Sequence, residues 1–400
     1  MRILLVHNAY AKPSGEEQAV QSIAGLLESQ GHHVAWLTRC SAEVTGSLAR
    51  KVAATFGGIY NPLVRAEISR LLDSTPIDIV QIQNLFPQIS PAIIRPCRER
   101  GIPVVMRCPN YRLFCPQGLF LSGGEVCERC AGGREWNCAL RNCTGSRPKS
   151  AAYALRNAAI RLSRTILGQV SVFMVLSGFQ RRKFIEYGIE PERLAVIPNF
   201  SAVVGDAGEW SPGGTVGFVG RISREKGLAQ LIEAARAMPD VPFAVAGSWD
   251  GMPEIRESAP ANVAFHGFLG GAALEEFYRR ARLIVCPSIW YEGFPNVVAR
   301  AMAAGKPVVA CRIGAMPEIV VDHETGLLFE PGDIGSLVGH IRRIYHDESV
   351  CRAMGRAGRL RVEREYSPDS VYRKLMAVYW QALSRQSVSR SMPAPARAGT

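Results

Sequence analysis

Glu292-Gly293-Phe294-Pro295-Asn296 is the stretch of this chain best placed to do chemistry. It follows Leu283-Ile284-Val285-Cys286, an apolar run with the length of a buried strand. It precedes Val297, Val298, Ala301 and Met302 at helical spacing, with Pro295 suited to a first turn. Glu292, Gly293 and Phe294 therefore fall where a strand's carboxyl end meets a helix N-terminus. Doubly wound sheets bind ligands there, and free N–H groups favour phosphate. An ordinary strand–helix connection would read the same way. A second group, Gly220-Arg221 and Lys226-Gly227, sits at another strand-to-helix junction. An arginine and a lysine at that place suit a diphosphate, because two full charges add to the helix N-terminus.

A third group is made of thiols. Six of the chain's eleven cysteines fall between Cys108 and Cys143, and Cys127-Glu128-Arg129-Cys130 is a C-x-x-C pair. In a reducing compartment such density argues for metal before disulfide. The best four ligands are Cys115, Cys127, Cys130 and Cys143, with Cys138 as substitute. No histidine lies in the segment, so the expected site is a closed, structural, all-thiolate zinc centre and not a catalytic one. Reduced thiols in an irregular insertion are the alternative.

The elements that position these groups alternate strand and helix. Arg2–His7 reads as a buried parallel strand, Glu16–Gln30 as a helix and His33–Leu37 as a second strand, one βαβ unit. Gly15, in Ser14-Gly15-Glu16-Glu17, either brings backbone close to a ligand or only satisfies a loop needing positive φ. Further strands are expected at 77–82, ending near Asn84, and at 103–106, 170–177 and 194–199. No G-x-G-x-x-G follows any of them, which weighs against a nicotinamide enzyme. Ser150–Leu167, with Arg156, Arg161 and Arg164, and Phe179–Tyr187 read as basic helices. Their charges form a solvated face, or a surface that meets anionic lipid.

The resulting plan is a first domain over 1–200 with a cysteine-rich insertion at 108–143, then a Gly- and Ser-rich linker at 201–214. A second domain spans 215–365, a returning helix 366–385 and a disordered tail 386–400. The net charge of +12 invites a polyanion: a nucleotide sugar, an anionic membrane surface or nucleic acid. No nucleic-acid-binding motif accompanies the charge, so nucleic acid is not expected as a partner. No apolar run approaches the roughly 18 residues of a membrane span, and the N-terminus reads as a strand and not a signal peptide. The expected location is cytoplasmic, with peripheral contact at the inner face of the membrane.

Glu292-Gly293-Phe294-Pro295-Asn296, continued by Ala301-Met302-Ala303-Ala304-Gly305-Lys306-Pro307-Val308-Val309, resembles the donor-sugar motif of retaining glycosyltransferases of family 4. "GRISREKG" resembles that family's donor-phosphate segment and "SGEEQ" its glycine-rich loop facing the cleft. The NYRLFCP segment followed by C-x-x-C is similar to one branch of the family. The resemblance spans about residues 1–385. It implies an α/β protein of the GT-B type: two Rossmann-like doubly wound domains facing a cleft, tied by a C-terminal helix that crosses back to the first. It implies transfer of a sugar from a nucleotide donor to a saccharide or lipid-linked acceptor, with no cofactor for catalysis. Arg221 and Lys226 would hold the pyrophosphate and Glu292 the donor hexose. Gly220, Phe268, Leu269, Gly293, Phe294, Pro295, Asn296 and Arg300 would complete the donor site. Ser14, Gly15, Glu16 and Asn84 would line the acceptor side.

Two departures stand out. The family's second motif glutamate falls on Arg300, which has donors only and cannot accept ribose hydroxyls. The cleft histidine of many members is replaced by Gln83 or Pro109. A non-catalytic or partner-dependent scaffold that binds a glycan or a partner enzyme is the rival reading. A GT-B epimerase would need paired acid/base carboxylates, and none can be placed.

Overall fold

The structure is a computed structural model describing residues 1–10, 15–41, 56–202, 213–248 and 252–391, with side chains through Arg385. Ser14 and most of the 201–214 linker lie outside the described residues. The first sheet contains β1 (Arg2–Ala9), β2 (His33–Cys40), β3 (Ile79–Asn84) and β4 (Val104–Cys108). A two-stranded hairpin, β5 (Leu121–Ser122) and β6 (Glu125–Val126), stands apart from it within the insertion. β7 (Val172–Val175) and β8 (Leu194–Val196) complete the sheet in the order β2-β1-β3-β4-β7-β8. The second sheet holds β9 (Thr215–Val219), β10 (Phe243–Ala246), β11 (Val263–Gly267), β12 (Ala281–Cys286), β13 (Val308–Cys311) and β14 (Gly326–Phe329). Its order is β11-β10-β9-β12-β13-β14.

All pairings in both sheets are parallel. The physical cause is visible in β3, β4 and β12, which are buried along their whole length. Helices cover both faces, so these strands carry continuous apolar runs in place of alternation. Strand order reverses at β1/β3 and at β9/β12. The carboxyl ends beside those switch points carry the first-domain residues around His7 and Asn84, and Gly220 and Ser288–Glu292 of the second domain.

The last helix, Pro368–Ser391, packs Val371, Leu375, Val378, Tyr379 and Ala382 onto Ile3, Leu5 and Val105 of the first domain. Just before it, Tyr366 sits in the second domain's core. The chain end thus returns as expected. The helix runs past the boundary set at 385, because Gln386–Ser391 holds no proline or glycine to stop it. The 386–391 part of the expected tail is therefore helical, and 392–400 lies outside the described residues. A further helix, Glu348–Glu365, was not anticipated. It buries Cys351, Met354, Gly355, Gly358 and Val362, a stripe with only three side chains larger than hydrogen. Gly355 is required, since a Cβ there would lie 2.0 Å from the Gly305 carbonyl oxygen; at Gly358 a Cβ would press on Met302 Cγ at 3.2 Å. This helix supports the motif helix Asn296–Ala303 from behind.

The basic helix divides into Arg147–Ser163 and Thr165–Gln169, broken at Arg164 with φ +51°. Its charges are only partly a solvated face: Arg147, Lys149 and Arg164 are exposed, but two others are engaged. Arg156 is buried, with its guanidinium 4.4 Å from the Phe86 ring centroid, and Arg161 donates to Glu135 at 2.6 Å.

Candidate active site

Glu292 is buried at the end of β12. Its Oε1 accepts from Lys226 Nζ at 2.5 Å, Ser288 Oγ at 2.9 Å and Trp290 Nε1 at 3.0 Å. Its Oε2 carries no hydrogen bond among the described residues, so one oxygen is held and the other stays available. Two loops are pressed together to make this pair. Gly227 has φ +71°, and a Cβ there would lie 1.9 Å from the Pro287 carbonyl oxygen. Ile289 N also donates to Glu225 O at 3.0 Å. Only glycine lets the Lys226 turn lie against the end of β12 this closely.

Arg221 stands on the same turn. It is exposed and donates to Glu225 Oε1 at 3.0 Å, an oxygen that also accepts from Ser223 Oγ at 2.6 Å. The N–H groups of Gly293 and Phe294 carry no hydrogen bond among the described residues. They precede the helix Asn296–Ala303, capped by Pro295. Side chains of the motif divide by role. Phe294 is buried against Tyr366, ring centroids 5.1 Å apart, so only its backbone can meet a donor. Asn296 Oδ1 accepts from Asn199 Nδ2 at 2.6 Å, a bond to the end of the first domain and not a free donor contact. Phe268 is 67% exposed after β11, open for stacking, and Leu269 packs on the buried cluster that includes Val298.

Arg300 turns away from the phosphate cations. Its guanidinium donates to Gln18 Oε1 of the first domain at 3.4 Å. It lines a cavity of about 30 Å³ with Arg107, Asn199 and Asn296.

The first domain faces this site. A Cβ on Gly15 would lie 3.4 Å from Asn296 Nδ2, and one on Gly293 3.2 Å from the Pro109 carbonyl oxygen. Glu16 Oε2 accepts from Tyr10 Oη at 3.0 Å, and Arg112 donates to the same Tyr10 oxygen at 3.3 Å. Burial pushes Glu16 above the usual carboxylate range, against the pull of Arg112. Burial also pushes Tyr10 up to about 12. Asn84, expected as a cleft group, is instead a brace. Its Nδ2 donates to Asn8 O at 2.9 Å and its Oδ1 accepts from Phe86 N at 3.2 Å, so little of the amide remains for an acceptor.

Two contacts between distant segments escaped the sequence. Tyr291 inserts into a first-domain aromatic group, 4.8 Å from Phe179 and 6.3 Å from Tyr111 between ring centroids. Arg182 donates to Glu318 at 2.7 Å across the domains. The insertion also braces the first-domain helix Gly178–Glu186, through Glu128, which accepts from Lys183 at 2.9 Å and from Tyr187 Oη.

The thiols of the insertion gather. Cys130 and Cys138 pack on Ala154, with Cys143 against them. Burial raises the Cys130 thiol to about 12, with Cys115, Cys143 and Cys127 adding to the effect. A hydrogen bond with Cys138 holds Cys143 below the ordinary thiol range. Cys138 therefore lies inside the thiol cluster. Among the described residues, no three His, Cys, Asp or Glu side chains are arranged to hold a metal ion.

The family profile described as "Glycosyl transferases group 1" matches residues 211–361, and that described as "Glycosyl transferase 4-like domain" matches residues 14–199. The chain belongs to the family-4 type of glycosyltransferases, with the GT-B fold. The capsular polysaccharide biosynthesis glycosyltransferase CapM of Staphylococcus aureus is 30% identical over 41% of this chain and 45% of its own length. Sucrose-phosphate synthase from Thermosynechococcus elongatus superposes with TM-score 0.70 at 19% identity, over 96% of this chain and 99% of that one. Anabaena HepE in complex with UDP-glucose gives TM-score 0.66 at 19% identity, over 94% and 99%. The chain spans less than half the length of the first curated relatives it matches.

Proposed function

We propose that this chain moves a sugar from a nucleotide-sugar donor to a saccharide or lipid-linked acceptor with retention of anomeric configuration. The observation that carries this reading is the Lys226–Glu292 pair, N to O 2.5 Å, at the β9/β12 switch point. The difficult step is departure of a nucleoside diphosphate, and catalysis needs donors aimed at the charge that develops. Lys226, Arg221 and the N–H groups of Gly293 and Phe294 supply them. Glu292 Oε2 accepts from donor-sugar hydroxyls while Oε1 is fixed by its three neighbours. The UDP-glucose bound by HepE and the capsular role in CapM's name support a nucleotide sugar and a glycan product.

A thermal-shift screen against uridine, guanosine and adenosine diphosphate sugars tests it, because a ligand that binds the folded state raises apparent stability. A rise in Tm with one donor and its slow hydrolysis are expected. No shift with any donor and no hydrolysis would favour the scaffold reading, which Arg300 motivates.

We also propose that the thiol cluster serves structure. A closed zinc site would draw four of Cys115, Cys127, Cys130, Cys138 and Cys143 into a thiolate tetrahedron. Metal analysis of protein purified without added zinc should then find about one equivalent. A folded, metal-free preparation would leave only reduced thiols.

A further inference from the structure

The helix Arg147–Ser163 turns an uncharged side to solvent. From Ser150 to Ser163 its exposed positions are Ala151, Leu155, Leu162 and Ser163. Ala151, Leu155, Ala158 and Leu162 follow the i, i+4, i+7, i+11 spacing of one helix face. Leu155 is 53% and Leu162 70% exposed. The short helix Trp136–Leu140 lies along this helix and leaves Trp136 56% and Leu140 75% exposed. Exposed leucines and a tryptophan on neighbouring helices are unusual without a partner.

The charge along this stretch of chain is basic, Glu135 just before it being paired with Arg161. No aspartate or glutamate occurs from Trp136 to Ile185, while nine lysines and arginines do. Arg141, Arg147, Lys149 and Arg164 are exposed around the apolar side. The described helices include none long and apolar enough to cross a membrane. An apolar helix side rimmed by cations, with a tryptophan at its edge, is the composition of an element that lies in a bilayer interface.

We propose that this face of the first domain docks on an anionic lipid bilayer, Leu155, Leu162, Trp136 and Leu140 entering the interface and Arg141, Arg147, Lys149 and Arg164 meeting headgroup phosphates. It is independent of sugar transfer, since binding is read without donor or acceptor. An anionic surface strengthens attachment roughly fivefold for each basic residue that reaches it.

The test is co-sedimentation of the full chain with phosphatidylglycerol and with phosphatidylcholine vesicles. Binding to phosphatidylglycerol at least about tenfold tighter is expected, weakened by salt. Leu155→Glu with Leu162→Glu should lower it by about tenfold or more. Leu360→Glu, which changes an exposed leucine of the second domain (55% exposed), should leave it unchanged. Equal, negligible binding to both vesicles overturns the proposal. So does loss of a dimer on gel filtration by Leu155→Glu/Leu162→Glu without any vesicle binding, which would make the face a protein interface. Thermal unfolding of each variant guards against a folding defect.

Discussion

Lys226→Ala lowers sugar transfer by about 2–4 kcal/mol in kcat/KM, the scale of losing a positioned transition-state donor. Two losses combine. The leaving diphosphate gives up a full charge, and the buried Glu292 carboxylate keeps only two neutral donors, Ser288 and Trp290. Arg221→Ala acts in the same direction toward the lower end of that range. Arg221 is 63% exposed at its side chain, and solvent screens an exposed charge. The kinetics should be read beside thermal unfolding, since Glu292 sits in the wall of the second domain. Turnover at the wild-type level in Lys226→Ala, with the fold intact, would remove both residues from the diphosphate site.

The second domain was the more legible half. Leu283–Cys286 and Val216–Val219 are continuous apolar runs, and turn signals after them locate Glu292 and Lys226 without any structure. What the chain order could not reveal is how the two loops meet. Glycine at 227 is common in turns, but its need to lie against Pro287 appears only when β9 and β12 are neighbours. The first-domain side was less legible for a related reason. Glu16 was placed on the acceptor side only through the resemblance, and nothing in the sequence linked it to Tyr10 or to the distant Arg112, which meet only when the loops after β1 and β4 converge. The helix Glu348–Glu365 was hidden because its buried stripe relies on Gly355 and Gly358, which carry no hydrophobic signal. Arg156 misled in the opposite sense, since arginine usually marks a wet surface and here it stacks between Phe86 and Tyr153.

Arg300→Glu should tighten nucleoside diphosphate binding by about 1–3 kcal/mol, for two hydrogen bonds from neutral ribose hydroxyls to a carboxylate. The sign depends on where Arg300 acts. Were it a third phosphate cation, reversal would place a carboxylate against the diphosphate and weaken binding. Its guanidinium reaches Gln18 instead, across the domain boundary, and no recorded bond joins it to Lys226, Arg221 or Glu225. A carboxylate at that place has one competitor. Arg107 lines the same cavity, is 1% exposed, and has Nε and one terminal nitrogen without a hydrogen bond. Burial lowers its pKa to about 10, the mark of a cation short of a counter-charge. Calorimetric titration and thermal unfolding of wild type and Arg300→Glu separate the cases. Tighter binding supports an open ribose position. Unchanged affinity with a higher Tm means that the carboxylate has gone to Arg107, and weaker binding means that Arg300 serves the phosphates after all. Either of the last two results sinks the ribose reading.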